Sequence, residues 1–97
     1  MDLHFVWNAA KASDNFRKHG VTFVEAATVL NDPLSLTIPD PKHSIGESRW
    51  VDIGRSSAGR LLVVVYTETE IEQATVVRLI SARTPDPDER RVYEEGT

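Results

Sequence analysis

The chain has 97 residues, of which 40% are hydrophobic and 27% are charged, as in ordinary globular proteins. This length allows one modest core, so we expect a single domain over residues 1–97. The absence of cysteine excludes disulfides and cysteine-ligated zinc. No apolar run approaches the roughly 20 residues of a membrane helix, and the first residues do not follow the pattern of a secretory signal. We therefore expect a cytoplasmic protein without membrane contacts.

The formal net charge is −4, which is unusual for a protein that binds nucleic acid. Such binding remains feasible where basic residues converge locally, because the surface field depends on placement as well as on the total charge. Any nucleic-acid site must therefore be a local basic cluster.

The first predicted element is a helix from about Asn8 to Lys18. Asn8 is a favourable N-cap residue and Gly20 a favourable left-handed stop. Three apolar residues at helical spacing predict the buried stripe, and three polar residues predict the neighbouring exposed stripe: Ala9, Ala12 and Phe16, then Lys11, Asn15 and Lys18.

A second helix is predicted from Thr22 to about Leu30, because Thr22 and Glu25 have the spacing of a reciprocal capping box. After Pro33 the pattern alternates as in strands, with a turn expected among Glu68, Glu70 and Glu72. The four predicted strands cover about 34–38, 48–54, 61–66 and 74–82.

The last predicted helix runs from Pro87 to Glu95, with Asp86 as the cap and Glu89 three residues later. The element order is therefore two N-terminal helices, a four-stranded antiparallel sheet and a C-terminal helix, which is an α+β fold.

The run Leu61 to Tyr66 predicts a central strand that is apolar on both faces. Two arrangements follow. Either short helices leave an apolar patch that a partner covers, or the first two helices cover one face and the last helix the other.

Basic and polar residues cluster toward the end of the first helix: Lys11, Asn15, Lys18 and His19. Ammonium groups can bind a phosphate, and an imidazole can transfer a proton, as RNA cleavage by its own 2′-hydroxyl requires. The alternative is that Lys18 and His19 simply stabilise the negative end of the helix.

Two strands carry further charged candidates, Glu47 with Arg49 and Arg78 with Arg83. Alternation places Arg49 and Arg83 on the same side as core residues, so each needs a partner. That partner is either a carboxylate, such as Glu47 or Glu68, or a substrate phosphate bound by the guanidinium.

The last helix carries Arg90, Arg91 and Tyr93. The arginines either bind phosphate or pair with Asp86 and Asp88 one turn earlier. Tyr93 is either a base-stacking or proton-donating group or an anchor that packs the helix on the sheet.

Other catalytic systems are disfavoured. The three histidines are far apart in the sequence, without the carboxylate spacing of a metal site, and no glycine-rich phosphate loop occurs. We expect neither a metal nor a cofactor.

Several strings along the chain resemble the BrnT family of type II toxins. They extend over nearly the whole chain: Phe5-Val6-Trp7-Asn8 with Lys11 and Asn15, Lys18-His19-Gly20-Val21-Thr22-Phe23, Asp32-Pro33, Leu62 to Glu68, and Arg78-Leu79-Ile80-Ser81-Ala82-Arg83 with Glu89-Arg90 and Tyr93-Glu94. The resemblance implies a RelE-like fold, ribonuclease activity that arrests translation, and inhibition by a BrnA-like antitoxin. That antitoxin is a ribbon-helix-helix DNA-binding protein, so any DNA contact is indirect, through the complex.

Two positions depart from the family pattern. Asn8 replaces the usual aspartate after the tryptophan, and Thr69 replaces the usual arginine after Thr-Glu. Asn8 still caps a helix, whereas loss of a cation beside Glu68 is expected to weaken substrate binding.

The leading hypothesis is a metal-independent endoribonuclease. Lys18, Arg49 and Arg83 would hold the phosphate, and His19, Glu47 or Tyr93 would transfer protons. The predicted RNA contacts are Lys11, Asn15, Thr67, Arg78, Arg90 and Arg91. The rival hypothesis is a non-catalytic RNA- or ribosome-binding module, or an inactive toxin homologue kept as the antitoxin's partner.

Overall fold

A computed structural model describes residues 2–40 and 48–96. Its elements, in chain order, are β1 (Asp2–Val6), α1 (Ala9–His19), α2 (Phe23–Ala27), a 3₁₀ helix (Thr28–Asn31), β2 (Leu36–Pro39), β3 (Ser48–Arg55), β4 (Leu61–Ile71), β5 (Ala74–Arg83) and α3 (Pro87–Gly96). The α+β class is confirmed. Within the described residues, no helix has the length and apolar composition needed to cross a membrane.

Both predicted ends of α1 are confirmed. The Asn8 side chain accepts a hydrogen bond from the backbone N–H of Lys11, and Gly20 adopts a left-handed φ of 68° while its N–H bonds to Phe16. The predicted apolar stripe is partly wrong, because Phe16 is 55% exposed and Asn15 is buried instead. The side of α1 that carries Asn15 therefore faces the sheet.

The second helix is shorter than predicted, since α2 ends at Ala27 and continues as a 3₁₀ turn. Thr22 accepts the backbone N–H of Glu25, as the capping box requires. The Glu25 carboxylate, however, bonds to the side chains of Arg60 and Ser56. The Arg60 guanidinium is the main reason that the pKa of Glu25 is lowered, against the opposing effect of burial.

Within residues 2–40 and 48–96 the sheet has five strands in the order β1-β5-β4-β3-β2, rather than four. Strands β2 to β5 form the predicted antiparallel meander, and β1 adds a parallel edge strand beside β5. Glu68 and Glu70 belong to β4, so the expected turn among the glutamates lies later, at Glu72 and Gln73. These two residues have φ values of 47° and 69°, as in a tight hairpin turn.

The two faces of the sheet are covered differently. On one face, α1, α2 and the 3₁₀ turn pack on alternate residues of β4 and β5, among them Leu62, Val64 and Leu79. On the other, which we call the α3 face, Tyr93 of α3 packs on a smaller cluster that includes Ile53 and Val63. The first two helices thus cover one face and the last helix part of the other, as one of the two predicted arrangements required.

The predicted capping of α3 is confirmed in both directions. The Glu89 N–H donates to the Asp86 carboxylate at 2.8 Å, and the Asp86 N–H donates to the Glu89 carboxylate at 2.9 Å. This reciprocal pair fixes where α3 begins and orients Glu89 toward the end of β5.

Candidate RNA-binding surface

Three residues predicted for the site lie in one row across the α3 face. Strand register pairs Arg49 of β3 with Thr67 of β4, and Thr67 with Arg78 of β5. Adjacent strands are about 4.8 Å apart, so the two arginine Cα atoms are about 10 Å apart with Thr67 between them. We call Arg49, Thr67 and Arg78 the arginine row.

The arginine row lies at the opposite end of this face from Tyr93. It is four residues along β4 from Val63, or roughly 13 Å at strand spacing. Thr67 is buried, Arg78 is exposed, and the Arg49 side chain is 29% exposed with its Nε 3.8 Å from a carboxylate oxygen of Asp40. Solvent therefore reaches the row from the Arg78 side.

Strand β1 brings a histidine to the same face that sequence reasoning missed. The register pairs His4 with Val76 and Val6 with Arg78, so His4 and Arg78, which are both exposed, are diagonal neighbours on adjacent strands. The missed signal was the alternation from Asp2 to Val6, which is short and whose partner strand lies about 70 residues away. Thr69 also belongs to this face, opposite Val76.

A second group of basic residues lines a cleft of about 230 Å³ between α1 and β5. We call it the α1 cleft, and its lining residues are Lys11, Asp14, Asn15, Lys18, His19, Ile80 and Ser81. The helix-one cluster predicted from the sequence is thus brought together. Among the described residues, the lining includes neither Arg49, which lies in the arginine row, nor Arg83, which pairs with Glu89. The prediction that Lys18, Arg49 and Arg83 hold one phosphate together is therefore wrong, because they lie at three separate places.

Asn15 is used by the fold rather than presented to a ligand. Its amide donates to the carbonyls of Ala82 at 2.8 Å and Val21 at 3.0 Å, and its oxygen accepts the Ala82 N–H at 3.0 Å. The side chain is 6% exposed. We therefore assign Asn15 to the structure of the cleft wall and not to the proposed RNA contacts.

Arg83 forms a bidentate ion pair with Glu89, with N–O distances of 2.7 and 2.8 Å. The carboxylate is neither of those named from the sequence, Glu47 and Glu68, because only the fold brings α3 beside the end of β5. The guanidinium of Arg83 lowers the pKa of Glu89, and Glu89 in turn raises the pKa of Arg83.

Tyr93 is the anchor of α3. Its ring is buried against the smaller core cluster, and its hydroxyl donates to Asp32 at 2.8 Å. Burial and this carboxylate both raise the pKa of Tyr93. On the same helix, Arg91 pairs with Asp88 at 2.5 Å, as one alternative predicted, and Arg90 is exposed.

Glu47 and His43 lie outside the described residues, so Glu47 stays a prediction. Across residues 2–40 and 48–96, no three potential metal-ligating side chains are grouped to hold an ion.

A family model described as the ribonuclease toxin BrnT of type II toxin-antitoxin systems matches residues 7–89. The matched region contains the whole α1 cleft and the arginine row. A search of curated proteins found no match. Because the family match spans most of the chain, the chain belongs to the BrnT family of ribonuclease toxins.

Proposed function

We propose that the protein is an endoribonuclease that binds the scissile phosphate of RNA at the arginine row. The observation that carries this proposal is the alignment of Arg49, Thr67 and Arg78 in one row that solvent reaches at Arg78, in a chain of a ribonuclease toxin family. Two guanidinium groups flanking a hydroxyl suit a phosphate, because each can bind two of its oxygens.

The proposed chemistry uses the RNA's own 2′-hydroxyl. The 2′-oxygen attacks phosphorus while its proton passes to a base, the bond from phosphorus to the 5′-oxygen breaks, and that oxygen takes up a proton. The products end in a 2′,3′-cyclic phosphate and a 5′-hydroxyl. Arg49 and Arg78 would stabilise the charge that develops on the phosphate oxygens, and His4, a diagonal neighbour of Arg78 by register, would be a candidate for proton transfer.

The other residues predicted to be catalytic take different places in this proposal. Lys18 and His19 are assigned to the α1 cleft, and Glu47 is kept as a candidate base. Arg83 and Tyr93 are assigned to holding α3, because Glu89 and Asp32 already engage their polar groups.

We further propose that the protein acts in the cytoplasm, arrests translation and is held silent by a BrnA-like ribbon-helix-helix antitoxin, which alone contacts DNA. Among the described residues, four large apolar residues are more than half exposed and are accessible to such a partner: Phe16, Val24, Leu34 and Ile71. Co-expression with a cognate antitoxin of this kind should relieve growth arrest and yield a stable complex.

The test of cleavage is incubation of the purified protein with single-stranded RNA in excess chelator. We expect fragments with 2′,3′-cyclic phosphate ends, and a loss of about 100-fold or more in rate for Arg78→Ala. Arg55→Gln is the matched control, because it also removes one guanidinium but lies over the Tyr93 ring at the α3 end. Equal cleavage rates for wild type and Arg78→Ala would reject the proposal that the arginine row binds the scissile phosphate.

A non-catalytic RNA- or ribosome-binding module is the second candidate. It is favoured by Thr69, which leaves the α3 face without the family's usual arginine, and by the acidic net charge. The same experiment separates the two functions, because a binding module shifts RNA mobility without producing fragments.

A further inference from the structure

We propose that the α1 cleft binds a second phosphate of the same RNA strand, so that the substrate is single-stranded RNA longer than a dinucleotide. This inference rests on the proposed function and adds to it a site away from the scissile phosphate. The cleft and the arginine row are both reached from β5, through Ser81 and Arg78 respectively.

The charge of the cleft suits a phosphate. Lys11 and Lys18 are seven residues apart and share a helix side, about 10 Å apart along the axis, and His19 lies beside Lys18. The acidic member of the lining, Asp14, is ion-paired with Arg17 at 2.7 Å. The lysine ammonium groups therefore set the sign of the cleft.

The end of β1 leaves room for this cleft. The last paired residues of β1 and β5 are Val6 and Arg78, so β1 does not extend alongside Ile80 and Ser81. A β-bulge leaves Ile80 between the paired residues Leu79 and Ser81. Bulges commonly redirect side chains next to functional sites.

The α1 cleft lies at the edge of β5 that β1 leaves uncovered, with α1 on the opposite side of the sheet from the arginine row, and Ser81 belongs both to the cleft lining and to the α3 face. Ser81 is paired with Val65, which alternates with Thr67 on the α3 face. Ser81 and Arg78 are roughly 10 Å apart along the strand, too far for one phosphate to occupy both places. An RNA strand that crosses the edge of β5 would place one phosphate at each.

The choice of RNA over an acidic peptide follows from this continuity. A peptide carboxylate would suit the lysines equally, but it has no reason to continue toward the arginine row. A single strand with regularly spaced phosphates meets both basic groups at once. Binding of an acidic segment of the antitoxin is therefore an alternative outcome of the test.

The experiment compares a ribodinucleotide with a dodecanucleotide, using wild type, the double variant Lys11→Ala/Lys18→Ala, and Asp14→Asn. For the double variant we expect KM for the dodecanucleotide to rise about 10-fold, with dinucleotide kinetics unchanged. The slope of log affinity against log salt should fall in magnitude by about 0.7, because one phosphate contact to a single strand is lost. Asp14→Asn should lower the KM for the dodecanucleotide. Arg55→Gln should leave the kinetics of both substrates unchanged.

Each other result overturns the inference in a recognisable way. Equal effects of the double variant on both substrates would reject a separate cleft site while leaving the proposed cleavage intact. Lost antitoxin binding with normal RNA kinetics would assign the cleft to the protein partner. If wild type neither binds nor cleaves either RNA, the proposed function fails together with the inference.

Discussion

The side-chain amide of Asn15 pairs with the backbone of Ala82 as a neighbouring strand would, donating to its carbonyl and accepting its N–H. It does so beyond the point where β1 ends, on the edge of β5 that β1 leaves uncovered. A third bond, to the Val21 carbonyl, connects the same amide to the loop after α1. One buried side chain thus joins the helix, the loop and the sheet.

Replacing Asn15 should therefore destabilise the fold more than any exposed change in α1. Asn15→Asp removes both donated bonds and buries a charge facing two carbonyls, so we expect a loss of about 3 kcal/mol in the free energy of unfolding. Urea denaturation measures this loss. Ser13→Ala, an exposed change on the same helix, should stay within about 0.5 kcal/mol of wild type. Wild-type stability of Asn15→Asp would refute the structural assignment.

This residue also shows where prediction from the sequence succeeds and where it ends. Local signals placed α1 correctly, because Asn8 and Gly20 act within one turn of the helix ends. The burial of Asn15 could not be predicted, because its partner Ala82 is 67 residues away. An asparagine at helical spacing with lysines has the same pattern whether it faces solvent or an uncovered strand edge.

The candidate site likewise contains some groupings that the sequence predicts and others that it does not. The helix-one cluster was predicted because its members are neighbours in the sequence, and the structure brings them into one cleft. The pairing of Arg83 with Glu89, and the contribution of His4, depend on how α3 and β1 dock on β5. These contacts are tertiary, and no local period encodes them.

A double-mutant comparison of Arg83 and Glu89 tests whether Arg83 acts on RNA or on α3. The Arg83 side chain is 41% exposed, so solvent screens the pair, and we expect a coupling energy of only about 0.5 to 1 kcal/mol. If Arg83 only holds α3, Arg83→Ala and Glu89→Ala should reduce RNA cleavage equally. A much larger loss of RNA cleavage for Arg83→Ala than for Glu89→Ala would show that Arg83 also acts on the phosphate.

The same ion pair predicts a pH dependence of stability. Because Arg83 holds the pKa of Glu89 below its usual 4.5, the ionised pair stabilises the fold above that value. The contribution is lost as the pH falls through the lowered pKa of the folded state. Acid titration of the unfolding midpoint should therefore show a smaller decline below about pH 4.5 for Glu89→Gln than for wild type. An identical decline for both would exclude the coupling.

Asp52 should contribute the opposite dependence of stability on pH. Its carboxylate is 3% exposed, and burial raises its pKa despite hydrogen bonds from the hydroxyls of Thr37 and Tyr66. A raised folded pKa means that the stability linked to this proton is complete below the unfolded value and is lost as the pH rises through the folded value. The buried charge of Asp52 therefore destabilises the wild-type fold at neutral pH.

Asp52→Asn should accordingly stabilise the protein at neutral pH by about 1 kcal/mol, or a Tm increase of about 4 to 8 °C. The amide oxygen still accepts a hydroxyl hydrogen bond. The difference between variant and wild type should shrink toward about pH 4, where the wild-type carboxyl is increasingly protonated in both states. Asp88→Asn, at an exposed helix position, is the control and should show no such trend. A lower Tm for Asp52→Asn at neutral pH would contradict this account.

An arginine at position 69, where the resemblance to the BrnT family implies one, should strengthen the proposed RNA site. Thr69 lies on the α3 face two residues beyond Thr67, opposite Val76 and near His4. A guanidinium there would add a cation to the arginine row without entering the core, because Thr69 is only partly buried. We expect Thr69→Arg to lower the Kd for single-stranded RNA about 10-fold and to increase cleavage. The slope of log affinity against log salt should steepen by about 0.7.

Thr84→Arg, which adds the same charge at an exposed position after β5, is the control. If both variants bind RNA equally tightly, net charge and not the row determines affinity, and if Thr69→Arg binds tightly without cleaving, the protein is a binding module.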